Sequence, residues 1–570
     1  MQFRTPKLLL AALAICVVSA CGDRSHDANS SEARSGQGGL TLAETSTSRM
    51  SQAEAARFLT QASFGPSMAS INALVEMGPD NWITDQFSKM KYNHLDYMKA
   101  RALQLDPGVR LDQPQFFESF WRQAIGGEDQ LRQRMSFALS EIFVVSYDNA
   151  AGENFPRGIG DYYDRLGRYC FGNFRELLEH VALHPMMGIY LSHLRNQKEQ
   201  DYRLPDENFA REIMQLFTIG LYQLNPDGSV KLSNGKPIET YTHDDVAGLA
   251  KVFTGWSWRG PDRSIQRFYG YVAAEDRDWK LMQNYPDFHS TSEKKFLGVT
   301  IRGNTSGEWD AQVALDTLFN HPNVGPFIGR QLIQRLVTSN PSPAYIGRVS
   351  AAFADNGSGV RGDMKAVIRA ILLDPEARQP GNPTVSKLRE PIVRLANWAR
   401  AFNAKSGSGR FYITTLDDPL TGLGQSPMRS PSVFNFYRPS YVPPNSSIAD
   451  AGQVAPEMQI TAEPSVTGYL NFMEEVVRKG VGSNYDVRPD YAAEIALADT
   501  PELLLDRVSL LLTNGTMSPE LRGMISTAMT GMYYPKPDAG NAAVMAEVRR
   551  QRACLAIFLT MASPEYLVQK

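Results

Sequence analysis

Apolar residues recur at helical spacing through most of the chain. In one clear example, Leu131, Met135, Leu139 and Ile142 follow one another at separations of four, four and three residues. This spacing puts the four side chains on one helix face, which is typical of a helix packed against a core. The same periodicity recurs in six further segments, which are residues 54–65, 173–194, 324–337, 363–378, 389–402 and 544–566. The pattern therefore predicts a mainly α protein.

Strand signals are few. Residues 236–242 and 295–301 combine β-branched or aromatic residues with neighbouring turn residues. Either segment could form one arm of a short hairpin. We therefore expect at most a small β-hairpin beside the helices.

A long segment without helical periodicity lies at residues 422–444, where proline and glycine are frequent. The same segment holds four aromatic residues, which are Phe434, Phe436, Tyr437 and Tyr441. Aromatic side chains in a loop indicate ordered irregular structure that packs on the body of the protein. We expect residues 49–570 to form a single large multi-helix globular body with long ordered loops.

The first residues have the layout of an export signal. Arg4 and Lys7 precede an apolar run over residues 8–18, which is too short to span a bilayer as a mature helix. Small residues then lead to Cys21, as in the lipobox of bacterial lipoproteins. We expect a signal peptide over residues 1–20 and lipidation of Cys21. The alternative is an ordinary cleaved signal in which the cysteine stands by chance.

The residue after Cys21 is Gly22 rather than aspartate, which favours the outer membrane of a diderm bacterium. Residues 21–48 are rich in serine, glycine and charged residues, so they cannot bury enough apolar surface to fold and predict a flexible tether. The expected protein is exported and contacts the membrane through its acyl anchor alone.

Charge and motifs exclude several classes of protein. The net charge is −3 and no basic stripe interleaves with aromatic residues, so nucleic acid is not an expected partner. The sequence contains no P-loop, Rossmann glycine pattern, G-x-S-x-G elbow or C-x-x-C-H motif, so it indicates no cofactor. Cys170 and Cys554 remain in the mature chain, where one disulfide or two free buried thiols would fit equally.

The segment PDENFAREIMQLF, residues 205–217, is the densest candidate for chemistry. On a helix, Glu207 and Arg211 share the polar face at a spacing of four residues, and Glu212 lies at the boundary with the apolar face. In a functional interpretation another layer covers this face, Arg211 holds one carboxylate ionised, and an apolar environment raises the pKa of the other.

A structural interpretation of the same segment is also coherent. Pro205 would occupy the first helical turn, where its missing N–H is harmless, and Asp206 and Glu207 would complement the positive helix end. The Glu207–Arg211 pair would then be an ordinary ion pair within one helix. The sequence leaves the choice between the two interpretations open.

Further candidates follow along the chain. Asp245 lies in the first turn of a predicted helix, where helix capping is the structural alternative to catalysis. His289 and Lys294 lie in a predicted loop, and His289 is the best general acid–base candidate. Trp256 and Trp258 could stack against a sugar ring, although tryptophans at a helix end are more often buried.

A metal site is a weaker hypothesis. His180 and His184 form an H-x-x-x-H pair that would share one helix face, and His193 follows. Val181 stands where a zinc protease has glutamate, and His184 precedes Pro185 near the expected helix end. We therefore assign no metal ligands.

Several segments taken together resemble a known bacterial family. They include RFLTQASFGPS, DQLRQRMSFALSEIFVVS, PDENFAREIMQLFTIGLYQLNPDG, AKVFTGW and HPNVGPFIGRQLIQRLV. The chain is similar over residues 53–566 to the family called domain of unknown function 1800. The resemblance implies an exported protein of uncharacterised activity, often encoded beside another exported family that is related to sulfatases and phosphatases.

The resemblance marks individual positions without assigning roles to them. The positions that match recurrent family motifs are Glu207, Asn208, Arg211, Glu212, Tyr241, Asp245, Thr254, Gly255, Trp256, His289, Lys294 and Gly298. The family usually has aspartate after the histidine, whereas Ser290 follows His289 here. This departure weakens the idea of an essential His–Asp pair in that segment.

Three functions fit these observations. The first is an envelope hydrolase or lyase that uses carboxylates on an extracellular or envelope polysaccharide. Its predicted catalytic residues are Glu207, Arg211, Glu212, Asp245 and His289. Its predicted substrate-binding residues are Tyr241, Trp256, Trp258 and Lys294. Because glycoside chemistry needs two carboxyl groups about 5 to 10 Å apart, the second carboxylate would come from Asp245 or Asp287.

The second function is a non-enzymatic scaffold or binding partner of a neighbouring exported protein. It requires the polar motif to be a satisfied structural network. The third and weakest is a metal-dependent oxidoreductase that uses the histidines.

Overall fold

The computed structural model describes residues 49–379, 385–536, 538 and 540–570. The predicted signal peptide over residues 1–20, the lipidation site Cys21 and the tether over residues 21–48 lie outside the described residues. All statements on structure below concern the described part of the chain.

Helices dominate the fold, with 52% of the structure in helices, and the predicted mainly α class is confirmed. The 26 α-helices are α1 (Gln52–Ala62), α2 (Met68–Met77), α3 (Pro79–Ser88), α4 (His94–Ala102), α5 (Gln113–Gly126), α6 (Gln130–Ser140), α7 (Ala150–Asn154), α8 (Pro156–Tyr169), α9 (Phe174–Ala182), α10 (Pro185–Tyr190), α11 (Asn208–Gln215), α12 (His243–Val252), α13 (Ile265–Phe268), α14 (Gly307–Asn320), α15 (Val324–Leu336), α16 (Pro343–Ala354), α17 (Met364–Leu372), α18 (Pro375–Arg378), α19 (Pro391–Ala401), α20 (Ser447–Asp450), α21 (Glu463–Lys479), α22 (Ala492–Ala496), α23 (Pro501–Thr513), α24 (Pro519–Thr530), α25 (Ala542–Ala562) and α26 (Pro564–Leu567).

The strands are short and pair two by two, always antiparallel. They are β1 (Leu232–Ser233), β2 (Lys236–Pro237), β3 (Trp256–Ser257), β4 (Gln283–Asn284), β5 (Lys294–Phe296), β6 (Val299–Ile301), β7 (Lys387–Leu388), β8 (Lys405–Ser406), β9 (Val487–Arg488) and β10 (Val568–Gln569). The pairs are β1–β2, β3–β4, β5–β6, β7–β10 and β8–β9. The described residues thus hold five strand pairs rather than a single hairpin.

Local sequence explains where several helices begin and end. Thr242 caps α12, with its hydroxyl accepting from the Asp245 amide while the Asp245 side chain accepts from the Thr242 amide. The apolar pattern at residues 173–194 is broken into α9 and α10, because Pro185 cannot continue the first helix. The pattern around Leu131 ends at Ser140, so the following acidic residue caps a helix instead of lying within it.

The helices pack around one continuous hydrophobic cluster that extends from Ala55 to Tyr566. Helix α15 packs on α16 and also touches α6, whereas α25 packs on α21, α23 and α24. Nearly every residue of α19 is buried. The C-terminal end of α6, helix α15, strand β7 and the start of α19 therefore converge inside the protein, beside a 3₁₀-helix at Pro456–Ile460.

Among the helices of the described residues, none combines the length and the apolar character needed to cross a bilayer.

Candidate functional site

The predicted Glu207–Arg211 pair forms on α11, and it faces solvent. The Arg211 guanidinium lies 3.0 Å from the Glu207 carboxylate, with side-chain exposures of 40% and 25%. His243 contacts the same carboxylate at 3.8 Å from the start of α12. Pro205 lies outside the helix, which begins at Asn208, so the expectation that it enters the first turn is wrong. The functional interpretation required a second layer over the pair, and no such layer covers it.

Glu212 lies beneath this face in a different environment. Its residue is 8% exposed, and its Oε2 atom has no hydrogen-bond partner among the described residues. Burial raises the pKa of the Glu212 carboxyl above its usual range, although Arg211 lowers it in part. Nearby, the Tyr241 hydroxyl donates to Gln215 at 2.8 Å. One of the two predicted carboxylates is therefore buried and the other solvated.

Asp245 is fully engaged in holding local structure. Its Oδ2 accepts from the amide and the hydroxyl of Thr242, at 2.7 and 2.8 Å. Its Oδ1 accepts from the Leu297 amide at 2.7 Å, which ties α12 to the turn between β5 and β6. Both oxygens are thus occupied by groups of the protein itself, as the capping alternative predicted.

His289 and Lys294 meet at a buried aspartate. The Nε2 atom of His289 and the ammonium of Lys294 each lie 2.9 Å from the same carboxylate oxygen of Asp310. The Nδ1 atom of His289 lies 2.8 Å from the Thr254 carbonyl, and Lys294 also donates to the Ser290 carbonyl. Burial opposes the charge of Asp310, but these hydrogen bonds prevail and lower its pKa. The arrangement is a closed network that fixes loops.

The two tryptophans lie in the core. Trp256 is 3% and Trp258 is 5% exposed. Trp258 is covered by the Phe155 ring at 5.3 Å and by the Arg277 guanidinium at 4.9 Å. Neither ring offers an open face to a sugar in this structure.

The histidines of the weaker metal hypothesis have separate partners. The Nδ1 atom of His180 lies 2.8 Å from the Arg165 guanidinium, whereas His184 contacts Asp161 at 3.2 Å and His193 contacts the Ala182 carbonyl. Burial lowers the pKa of His180 to about 4 and that of His193 to about 4 as well. No group of histidine, cysteine and acidic side chains suited to a metal ion occurs within the described ranges.

Cys170 and Cys554 are separate buried thiols, so the disulfide alternative is wrong for this structure. Burial raises the pKa of the Cys170 thiol to about 12, which makes it a poor nucleophile.

A second polar cluster lies where α6, α15, β7 and α19 converge, and sequence reasoning did not identify it. It contains three glutamates, each no more than 5% exposed: Glu141 at the end of α6, Glu390 before α19, and Glu457 in the 3₁₀-helix. Carboxylates are almost never buried without partners, so three in one place call for an explanation.

Three buried cations surround these glutamates. Lys387 lies 2.9 Å from Glu457 and 3.8 Å from Glu390, and Arg134 lies 3.9 Å from Glu390. Arg335 lies 3.7 Å from Glu141. The backbone carbonyl of Arg335 accepts from Arg134 at 2.6 Å and from Lys387 at 2.8 Å, so these two side chains meet at one carbonyl oxygen.

Two of the glutamates lie close together, because the Gln425 amide reaches both, at 3.5 Å from Glu141 and 2.9 Å from Glu390. Burial raises the pKa of Glu141 well above its usual range, and the charge of Glu390 and the hydrogen bond to it add to this rise. Burial acts against the Glu390 charge as well, but Lys387 and the hydrogen bond from Glu141 lower its pKa overall. The surroundings of the pair therefore shift the two pKa values in opposite directions.

An irregular segment, residues 417–446, covers the pair, and we call it the roof. Gln425 donates to Glu390 at 2.9 Å, Asn435 donates to Glu141 at 3.2 Å, and the Tyr437 hydroxyl lies 3.3 Å from Glu141. Met428 in the roof is buried at a φ of 55°, a left-handed conformation that costs an unbranched side chain free energy. Strained backbone of this kind concentrates at functional sites.

The cluster could be found from the sequence only in part. The predicted aromatic loop at residues 422–444 lies within the roof. Glu141 directly follows a strong apolar stripe, which is an unusual place for an acid. Glu390 and Glu457 stand beside Pro391 and Pro456 in unremarkable contexts. Their convergence depends on contacts between distant segments, which no local pattern records.

Comparison with known proteins identifies a family only. A family model described as "Protein of unknown function (DUF1800)" matches residues 57–568, which confirms the resemblance predicted from the motifs. Neither a curated protein nor a solved structure gives a significant match.

Proposed function

Because the chain belongs to the DUF1800 family, whose activity is not established, we propose its function from the geometry of the site. We propose that the protein is an exported, lipid-anchored hydrolase of an envelope or extracellular polysaccharide. Its acid–base pair is Glu141 and Glu390. The observation that carries this proposal is a pair of buried carboxyls that share the Gln425 amide inside a ring of cations, with the pKa of one raised and that of the other lowered.

The raised pKa of Glu141 and the lowered pKa of Glu390 suit an acid and a base that activate water. In the proposed step Glu390 accepts a proton from water while Glu141 gives its proton to the leaving oxygen. The bond from carbon to that oxygen breaks as the hydroxyl of the water adds to the carbon. Transfer of a proton from Glu390 to Glu141 then restores the pair.

Substrate reaches the pair only when the roof moves. Gln425, Asn435 and Tyr437 occupy the side of the pair that faces the roof, and each is buried. Their amide and hydroxyl groups would become hydrogen-bond partners of a sugar once they release the carboxylates. Closure of an irregular segment over substrate is a common way for enzymes to exclude water.

Glu141→Gln tests the proposal with little risk to the fold. Glutamine has nearly the same volume and can still donate a hydrogen bond to Glu390. We expect at least a hundredfold loss of reducing ends released from envelope polysaccharide fractions by the full-length protein in detergent. We also expect a melting temperature close to that of the wild type.

Glu207→Gln distinguishes the proposed site at Glu141 from the site predicted from the sequence at α11, where Glu207 is a predicted catalytic residue at the helix start. The proposal expects near wild-type turnover from this variant. Lost turnover in Glu207→Gln with full turnover in Glu141→Gln would move the site to α11. Full turnover in both variants would exclude both locations.

A scaffold function is the second candidate, because one observation favours it. Beside the motif on α11, Tyr202 and Leu204 are almost fully exposed, with relative exposures of 102% and 81%. The adjoining residues Gln200, Asp201 and Arg203 complete the rim of an open depression of about 370 Å³. Apolar side chains of this size on a surface are typical of a protein contact. The scaffold proposal expects Tyr202→Ser to release a co-purifying exported partner while turnover stays absent.

A further inference from the structure

We infer that the cluster around Glu141 and Glu390 recognises an acidic saccharide, whose negative group is held by Arg134 and Arg335. This inference rests on the proposed function and specifies its substrate class. Three independent features of the cluster support it, namely its charge, its unused donors and the groups in its roof.

The cluster carries more positive than negative charge. Arg134, Arg335 and Lys387 are joined by Arg394, which is buried and lies within electrostatic reach of Glu390 and Glu457. Four cations thus face three carboxyl groups, Glu141, Glu390 and Glu457. Buried charge that is not balanced is expensive, so a site of this kind gains free energy when an anion enters.

The arginines also hold unused hydrogen-bond donors. Arg134 is 1% exposed, yet its Nε and Nη1 atoms make no hydrogen bond within the described residues. Arg335 is 2% exposed, and its Nε atom, which lies 3.7 Å from the Glu141 carboxylate, makes no hydrogen bond within the described residues. Buried N–H groups are nearly always paired in native proteins. Arg134 approaches Glu390 at 3.9 Å and Arg335 approaches Glu141, so the two guanidinium groups flank the carboxyl pair, and such groups bind a planar carboxylate or a sulfate.

The other groups of the cluster suit the rest of a sugar. Asn435, Gln425 and Tyr437 provide amide and hydroxyl groups that can bind sugar hydroxyls, and they reach the pair from the roof. A neutral sugar would use these groups but leave the arginine N–H groups that lack a hydrogen bond without a partner. The set as a whole therefore favours a uronate or a sulfated sugar.

The test compares tetragalacturonate with its methyl-esterified form, because esterification removes the charge and keeps the sugar. Binding to the full-length protein in detergent is measured by calorimetry. We expect tetragalacturonate to bind at least tenfold more tightly than the ester. Arg134→Gln should reduce this preference at least tenfold. The surface variant Arg478→Gln, whose residue pairs with Glu474 on the exposed face of α21, should leave it unchanged.

Equal binding of the acid and the ester to the wild type would overturn the inference, even if Arg134→Gln failed to fold. Stronger binding of inorganic sulfate than of tetragalacturonate would also overturn it, because the site would then select a compact anion. Selective binding without hydrolysis of any acidic polysaccharide would support this inference and overturn the proposed function. Hydrolysis limited to neutral polysaccharides would overturn this inference and support the proposed function.

Discussion

Glu141 and Glu390 have the same chemistry, but their surroundings shift their pKa values in opposite directions. Lys387 and Arg134 approach Glu390, whereas Arg335 is the one cation within 4 Å of Glu141 in the described part of the chain. Burial penalises both charges, and the unequal distribution of cations leaves the pKa of Glu141 raised and that of Glu390 lowered. Opposite pKa shifts of this kind were predicted for Glu207 and Glu212 from the sequence, and the structure has them at a different pair.

The pH dependence of stability should reveal Glu141. Its pKa is raised in the folded state, so the unfolded chain releases this proton near pH 4.5 while the folded protein keeps it. The folded state then binds more protons, and the free energy of unfolding falls as pH rises above that value. The slope from one such proton is at most about 1.4 kcal/mol per pH unit.

Denaturant titrations of the wild type and Glu141→Gln, made between pH 5 and 8 at intervals of about half a pH unit, measure how the free energy of unfolding of each protein changes with pH. The wild type should lose stability relative to the variant as pH rises. Parallel curves would show that Glu141 ionises normally in the folded protein.

At the scale of elements, the buried Lys294 at the start of β5 holds the loop that follows the 3₁₀-helix Pro286–Phe288. Lys294→Met should destabilise the protein by about 3–5 kcal/mol, because the carboxylate of Asp310 loses its buried ammonium partner. Lys295→Met is the matched control. Lys295 pairs with Glu293 at the exposed surface, so its loss should cost less than about 1 kcal/mol.

Equilibrium unfolding in urea gives both values. If Lys294→Met kept full stability but lost turnover, the residue would act in substrate binding, as the sequence suggested, and the structural role described here would be wrong.

The roof should exchange its amide hydrogens faster than the helices beneath it. It has no regular secondary structure between residues 417 and 446, whereas the amides of α15 are in a buried helix. Few backbone hydrogen bonds hold such a segment, so local opening should be frequent. Hydrogen exchange with mass spectrometry should also show slower exchange of the roof when an acidic oligosaccharide is bound. Equal protection of the roof and α15 would contradict an opening roof.

The elements show how far sequence patterns reach. The apolar periodicity predicted the main helices, and the pairing of β5 with β6 lies within a segment that had strand signals. The position of Asp245 in a first helical turn was predicted, because capping depends on residues three positions apart. The cluster around Glu390 was not, because Lys387, Gln425 and Glu457 come together through tertiary contacts alone.

At the scale of the whole molecule, we expect the globular body to be attached to the membrane through a flexible tether and an acyl chain. This part of the proposal rests on residues 1–48 of the sequence, since the structure describes the chain from residue 49 onward. The apolar run, the small residues and Cys21 support it. The acidic polysaccharides of a cell envelope would then be within reach of the body.

Cys21→Ser tests the anchor. Without the thiol no acyl chain can be attached, so we expect the protein to move from the membrane fraction to the soluble fraction after cell lysis. Labelling with a radioactive fatty acid should be lost in parallel. Retention of the variant in membranes would mean that another contact holds the protein there.

The most direct test of the acid–base pair is an infrared difference spectrum, wild type minus Glu141→Gln, recorded at neutral pH. A protonated carboxyl has a carbonyl stretch that is separate from the bands of ionised carboxylates. We predict a protonated-carboxyl band in the spectrum of the wild type minus Glu141→Gln and no such band in the spectrum of the wild type minus Glu207→Gln. If the first difference spectrum lacks this band, Glu141 is ionised in the wild type, and the cluster is a structural ion network rather than an acid–base centre.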